Sequence, residues 1–178
     1  MKYKNGGNSM NEVFAKPAVG AIIEKEENGE KYILIQTRQK ENAGTQNGML
    51  EIPAGKIREY ENIFDTLRRE VMEETGLSIT EIVGENDIIE DDLSGYKVIT
   101  YSPFSITQNL SGGYSLIVQV FICKAKGNLV KETNETKDIH WITVDELKDL
   151  YINNRKALWP IHVNAIKKYL KKEKKYDT

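Results

Sequence analysis

The sequence predicts an α/β protein with a mixed β-sheet and helices packed on its faces. Three observations carry this. A chain of 178 residues buries about 70% of its unfolded surface and supports one sizeable core. Strand-like runs come first, then one strong helix, then more strands, then two closing helices. No internal repeat and no linker divides the body.

Composition narrows the class. With 39% hydrophobic and 29% charged residues, and only 13 Gly and 4 Pro, the chain is neither wholly disordered nor a fibre. Lys and Arg number 25 against 27 Asp and Glu, a net charge of −2, so no global positive field draws in nucleic acid, and no nucleic-acid partner is expected. Any polyanion must be met locally. The single cysteine, Cys123, allows neither an internal disulfide nor a multi-cysteine zinc site. The charged start Met1–Gly6 has no apolar signal region behind it, and the longest apolar runs fall far short of the roughly 20 residues of a membrane span. A cytoplasmic protein without a membrane partner is expected.

Residues 1–16, rich in Asn, Gly and Lys without periodicity, are expected to form a flexible arm, and 173–178 a flexible tail around a body of 17–172. The runs Ala18–Ile23 and Tyr32–Thr37 flank Asn28-Gly29, a pair that tolerates the positive φ angles of a two-residue turn, and so form a hairpin. The polar stretch Gln39–Gly48 leads to a short strand at Met49–Ile52 and a loop at Pro53-Ala54-Gly55. From about Asn62 to Thr75 runs the best helix. Asn62 can cap it, Ile63, Leu67 and Val71 repeat every four residues, and Gly76 stops it. Strands are expected around Ser78–Ile89, Tyr96–Ile106, Tyr114–Lys124 and Ile139–Thr143, and helices at Val144–Tyr151 and Pro160–Lys172. The basic run Lys171–Lys175 suits a solvated helix C-terminus.

The chemistry concentrates on the central helix. At about 100° per residue, Glu70, Glu73 and Glu74 share one face, overlapping the edge of the apolar stripe. Like charges at this spacing oppose the helix by roughly 0.2–0.5 kcal/mol per exposed pair, and by more as the dielectric falls. Such a cluster invites a divalent cation, and oxygen ligands without Cys or His suit Mg²⁺, Mn²⁺ or Ca²⁺. Gly55 lets the preceding loop come close, so that a backbone carbonyl can face the same ion. The helix alone is equally consistent with solubilising acids balanced by Arg68 and Arg69.

The spacing decides between them. Gly55, five residues, Glu61, seven residues, Arg69-Glu70-Val71, one residue, Glu73-Glu74, one residue, Gly76-Leu77 resembles the Nudix box of the Nudix hydrolases at every defined position. Seven such identities coincide by chance on the order of once in 10⁸ starts. The resemblance implies an α/β/α sandwich with a loop–helix–loop metal site that hydrolyses a nucleoside diphosphate linked to another moiety. It implies that Glu70, Glu73 and Glu74 hold Mg²⁺ (or Mn²⁺), with the Ala54 or Gly55 carbonyl adding a ligand. Arg69 then orients the glutamates, Glu61 supports the helix start, and Gly55 and Gly76 bound the motif. The general base is either a helix glutamate or one on a later loop. Glu132 and Glu135 are the loop candidates, and Glu135 is preferred because it stands six residues before Trp141.

The approach to the box, Leu50-Glu51-Ile52-Pro53-Ala54-Gly55-Lys56, resembles the ADP-ribose and nucleoside-diphosphate-sugar pyrophosphatase branch. That branch commonly has a proline about fifteen residues beyond the box; this chain has Asp92 and Leu93 there. A homodimer is implied by the same branch. Arg38 and Glu51 are the expected substrate-binding residues, Arg38 meeting a phosphate or ribose, and Ser111-Gly112-Gly113 can offer N–H groups to an anion. A surface arginine and a hairpin turn are their alternative readings. Trp159 offers a stacking surface or a core residue. Cys123, in an apolar strand, and His140, beside Trp141, read as structural. Two further readings stand beside the main one: a nucleoside triphosphate pyrophosphohydrolase acting on modified nucleotides, and a nucleotide-sensing Nudix module without turnover, which typically loses one of the acids retained here.

Overall fold

A computed structural model describes residues 13–40 and 44–174. Most of the proposed N-terminal arm and the last residues of the tail lie outside the described residues. The strand following the arm begins at Lys16, one residue inside the expected arm.

Two long strands make the hairpin that the Asn-Gly pair announces. β1 (Lys16–Glu27) and β2 (Glu30–Arg38) pair antiparallel, and Asn28 and Gly29 take φ values of 54° and 77° between them. β3 (Leu50–Glu51) adds to β2. The expected loop at Ala54–Gly55 is instead a strand, β4 (Ala54–Lys56), antiparallel to β1 with Gly55 opposite Val19. The helix α1 (Ile63–Thr75) follows. Asn62 accepts a hydrogen bond from the Phe64 N–H at 2.9 Å, and Gly76 ends the helix at φ 78°.

The two long strands expected after the helix are each broken in two. β5 (Ser78–Ile82) stops before Gly84, whose φ is 86°, and the chain re-enters extended structure as β6 (Ile89–Leu93). β6 pairs with β7 (Tyr96–Thr100) in a separate two-stranded hairpin across Ser94-Gly95, both at positive φ. Pro103, which has no N–H to donate, then separates β7 from β8 (Ser105–Gln108). Asp92 and Leu93, where the ADP-ribose branch favours proline, close β6. β9 (Leu116–Lys126) and β10 (Thr136–Thr143) complete the main sheet, followed by α2 (Val144–Asn153) and α3 (Pro160–Lys172).

The eight-stranded sheet has the order β10-β2-β1-β9-β5, with β3, β4 and β8 attached to β2, β1 and β9. Among the described residues β1 pairs parallel with β9 and the other strand pairings of this sheet are antiparallel, which is the mixed sheet expected. β1 is buried on both faces, and its alternating side chains divide the core. Ala18 and Ile22 face one layer with Leu147, Tyr151, Ile166 and Leu170 of α2 and α3. Val19, Ala21 and Ile23 face the other with Ile63, Leu67 and Val71 of α1. The result is an α/β/α sandwich. Among the described residues no helix is long and apolar enough to cross a membrane.

Candidate functional site

The site forms where α1 crosses β4 and the end of β2. α1 is anchored through its apolar stripe, and Glu70 and Glu74, along the edge of that stripe, reach the β4 backbone at Gly55 and Ala54. Gly55 makes that approach possible: a Cβ at this position would lie 1.8 Å from the Glu70 carboxyl carbon.

Arg69 gathers the outer acids. Its Nε and Nη2 donate to Glu61 at 2.7 and 2.8 Å, and its Nη1 donates to Glu70 at 2.6 Å and to Glu73 at 3.3 Å. The guanidinium hydrogen bond holds the Glu61 carboxyl down at about 2, and the same contact raises the Arg69 pKa. Glu61 also accepts from the Arg58 N–H at 3.1 Å, tying the loop that enters the helix.

The three helix acids do not face the same environment. Glu73 is largely exposed, Glu70 is mostly covered, and Glu74 is only 3% exposed, turned into the body. Among the described residues no three metal-ligating side chains converge on one point. Glu74 Oε2 accepts from Gln36 Nε2 at 2.8 Å and from the Ala54 N–H at 3.0 Å. Its Oε1 is buried, makes no hydrogen bond, and has the Lys40 ammonium 3.5 Å away. Burial raises the Glu74 carboxyl to about 7, against the opposing pull of Lys40. An underbonded buried carboxylate oxygen, beside a carboxylate seated on a glycine cradle, is a donor set that fits a hard divalent cation. Glu70 and Glu73 have to leave Arg69 in part to join it.

Glu70 and Glu73 line a groove of about 320 Å³, with Glu74 buried outside its lining. Arg38, Lys40, Lys56 and Arg58 line it as well, and so does Glu135. A net-acidic protein thus assembles a local group of cations in the same groove as two of its helix glutamates, the local provision that a polyanion needs here. Glu135 lies on the loop before β10, half exposed, and pairs with Lys40. Its loop is tied to the body by the Gln39 N–H, which donates to the Glu135 carbonyl at 2.7 Å, and by Thr136 Oγ1, which donates to the Glu74 carbonyl at 3.1 Å.

Arg38 is not a surface arginine. It is 5% exposed, donates from Nη1 to Glu51 Oε2 at 3.0 Å, and lies 4.2 Å from the centroid of the Trp159 ring. Glu51, expected to meet substrate, is buried behind Arg38 and does not line the groove; its carboxyl is raised by burial. Its contact with the groove runs through Arg38. Ser111-Gly112-Gly113 is the turn between β8 and β9, where Asn109 Nδ2 donates to the Gly112 and Tyr114 carbonyls at 2.6 and 2.7 Å. Trp159 caps α3 and donates to Gln46 Oε1 at 3.1 Å. His162, fully buried, accepts from the Ile52 N–H at Nδ1, and burial drops its pKa to about 3, so it stays neutral. Cys123 is buried, with its thiol pKa raised by desolvation, as a structural residue requires.

Lys40 and Gln36 escaped the sequence reading. Alternation along β2 places positions 36 and 38 on one side, and Lys40 lies two residues beyond the strand; their acidic partners come from three other elements, which no local pattern reveals.

Residues 15–167 match the model of the NUDIX domain family. A stretch of 91 residues, half of this chain, is 36% identical to the mRNA-decapping enzyme subunit 2 of Saccharomyces cerevisiae, and spans 9% of that protein's length. In structure the chain is similar to the MutT protein from Methanosarcina mazei Go1, with TM-score 0.57 and 22% identity, covering 93% of this chain and 99% of that one. It is also similar to the NUDIX domain of Shewanella oneidensis NrtR, crystallised with ADP ribose, with TM-score 0.64 and 12% identity over 95% and 94% of the two chains. At these identities the structural likeness is one of fold.

Proposed function

We propose that this chain, which belongs to the NUDIX domain family, is a pyrophosphohydrolase whose substrate is a nucleoside diphosphate linked to another moiety. ADP-ribose or a nucleotide sugar is the first choice, giving a nucleoside monophosphate and a sugar phosphate. The observation that carries this is the groove itself, with Glu70 and Glu73 on one side and Arg38, Lys40, Lys56 and Arg58 around it.

In this reading Glu70, Glu73 and Glu74 hold Mg²⁺ or Mn²⁺ with help from the Ala54 or Gly55 carbonyl. A divalent cation so held neutralises the diphosphate and makes water more acidic. Arg69 keeps Glu70 and Glu73 together and Glu61 keeps Arg69 in place, as their hydrogen bonds support. Lys56 and Arg58 meet phosphate oxygens as charged donors. Arg38, backed by Glu51 and stacked near Trp159, presents a fixed guanidinium at the far wall. Glu135, on the groove wall, takes the proton of the attacking water.

The test is a substrate panel with and without Mg²⁺: ADP-ribose, nucleotide sugars, nucleoside triphosphates, dinucleoside polyphosphates and capped dinucleotides. The reading expects metal-dependent release of AMP from ADP-ribose, or of the matching monophosphate from another diphosphate-linked substrate. Preference for triphosphates, with release of inorganic pyrophosphate, supports the housecleaning alternative instead. Tight binding without turnover of any member supports a sensing module.

A further inference from the structure

Three of the cations lining the groove differ in their freedom to move. Arg69 is engaged by Glu61, Glu70 and Glu73 together. Arg38 is buried against Glu51 and the Trp159 ring. Lys40 carries a point charge on a flexible stem just beyond the end of β2, with its side chain 25% exposed at the groove. It faces two carboxylates from distant parts of the chain: Glu74 Oε1 at 3.5 Å, on α1, and Glu135 Oε2, on the loop before β10.

Glu74 Oε1 is buried and receives no hydrogen bond, so the Lys40 ammonium is the positive charge that compensates it. Burial acts to lower the Lys40 pKa, yet Glu74 and Glu135 outweigh it and keep the ammonium charged.

We propose that Lys40 is an exchangeable counter-ion: paired with Glu135, it also neutralises Glu74 in the ion-free protein, and it gives up Glu74, keeping Glu135 and turning to the substrate phosphates, when a divalent cation takes the glutamates. The inference rests on the reading of Glu70, Glu73 and Glu74 as the cation-holding set. An ammonium and a divalent cation repel, and one carboxylate oxygen cannot serve both at full strength. The cost of displacing Lys40 is therefore subtracted from the affinity of the ion. Glu135, already paired with Lys40, holds the ammonium on the same wall when Glu74 is given up, and an anionic substrate in the groove offers a better acceptor. By linkage, the ion binds more weakly to the free protein than to the protein with substrate, and Lys40 is the residue that couples the two.

The test is an Mn²⁺ titration without nucleotide at one fixed pH, read by the electron paramagnetic resonance of free Mn²⁺. Wild type is compared with Lys40→Met, Lys40→Arg and, as a surface control, Lys124→Met, which removes an exposed lysine paired with Glu81. Lys40→Met is expected to bind Mn²⁺ about tenfold tighter, melt lower without ion, and gain more in Tm on adding it than wild type does. Lys40→Arg and Lys124→Met are expected to stay within about twofold of wild type. A folded Lys40→Met that binds Mn²⁺ no tighter than wild type overturns the proposal. If Lys40→Met does not fold, Glu135→Gln decides. With its second acceptor gone, Lys40 stays on Glu74 and Mn²⁺ binding weakens severalfold; an unchanged affinity overturns the proposal. Wild type that takes up no Mn²⁺, with or without nucleotide, overturns the cation site itself, a different result from a site that binds with no regard to Lys40.

Discussion

Two clusters of paired charges flank the groove, and they are built in opposite ways. The Arg69 cluster draws its acids from one helix and the turn before it, at positions 61, 70 and 73, and sits partly in water. The cluster at the end of β2 pairs Gln36, Arg38 and Lys40 with Glu74, Glu51 and Glu135 across four elements, and its centre is buried. The first stabilises its acids as charges and the second strains to do so. Glu61 is held at about 2 and Glu74 is raised to about 7. A ready-made ion pair tethers carboxylates, whereas an underbonded one leaves an oxygen that a cation can claim.

The sharpest way to break this contrast is to remove one acid from each cluster. Glu70→Gln and Glu74→Gln are each expected to lower kcat by about 100-fold or more under saturating metal, measured as initial rates on the best substrate of the panel. A loss of less than tenfold for both counts against the assigned site. In stability the two differ: Glu74→Gln, which relieves a buried charge, is expected to melt no lower than wild type in the absence of metal at alkaline pH.

Removing the cations separates the clusters next. Arg38→Met leaves Glu51 buried and unpaired and is expected to cost about 3–5 kcal/mol in urea denaturation. Arg69→Met leaves acids that water can reach and is expected to cost only about 1 kcal/mol, with a larger loss of activity. Equal costs would mean that the burial difference does not govern them.

Gly55→Ala probes the cradle. The new methyl meets the end of a flexible side chain, so the fold is expected to survive with a loss of about 1 kcal/mol or less, while Glu70 is pushed aside and kcat falls about tenfold. A fully active variant would show that Glu70 need not sit against β4.

The smallest effect is in pH. In the ion-free protein, the raised Glu74 contributes stability that is fully present below the unfolded value of 4.5 and is lost as pH rises through about 7. The depressed Glu61 contributes stability present above 4.5 and lost as pH falls through about 2. Urea denaturation across pH is expected to show both slopes, with Glu74→Gln abolishing the one between pH 4.5 and about 7 alone.

Legibility in the sequence follows the same division. Asn28-Gly29, Asn62, Gly76 and Pro160 each impose a local backbone requirement, and the structure places the turn and the helix ends at them. The box is likewise local, since its spacing is a property of one helix and its flanks. The breaks at Gly84 and Pro103 were missed because β-rich runs on either side read as continuous strands, although both residues signal interruption. The sequence leaves Arg38 open between a substrate-binding and a surface residue, because nothing within its own strand reveals that Glu51 and Trp159 close over it. Lys40 was invisible for a related reason: its two partners lie far along the chain from it, and only the fold brings them to one point.

The central claim is that Glu70, Glu73 and Glu74 gather a divalent cation beside a phosphate-binding groove. Crystals soaked with Mn²⁺ and a non-hydrolysable nucleoside diphosphate derivative test it directly through the anomalous signal of manganese. The account expects a peak among those carboxylates and the Ala54–Gly55 backbone, with the diphosphate against Lys56 and Arg58. Manganese absent there, with Glu70 and Glu73 still bound to Arg69 and the nucleotide elsewhere, would contradict it.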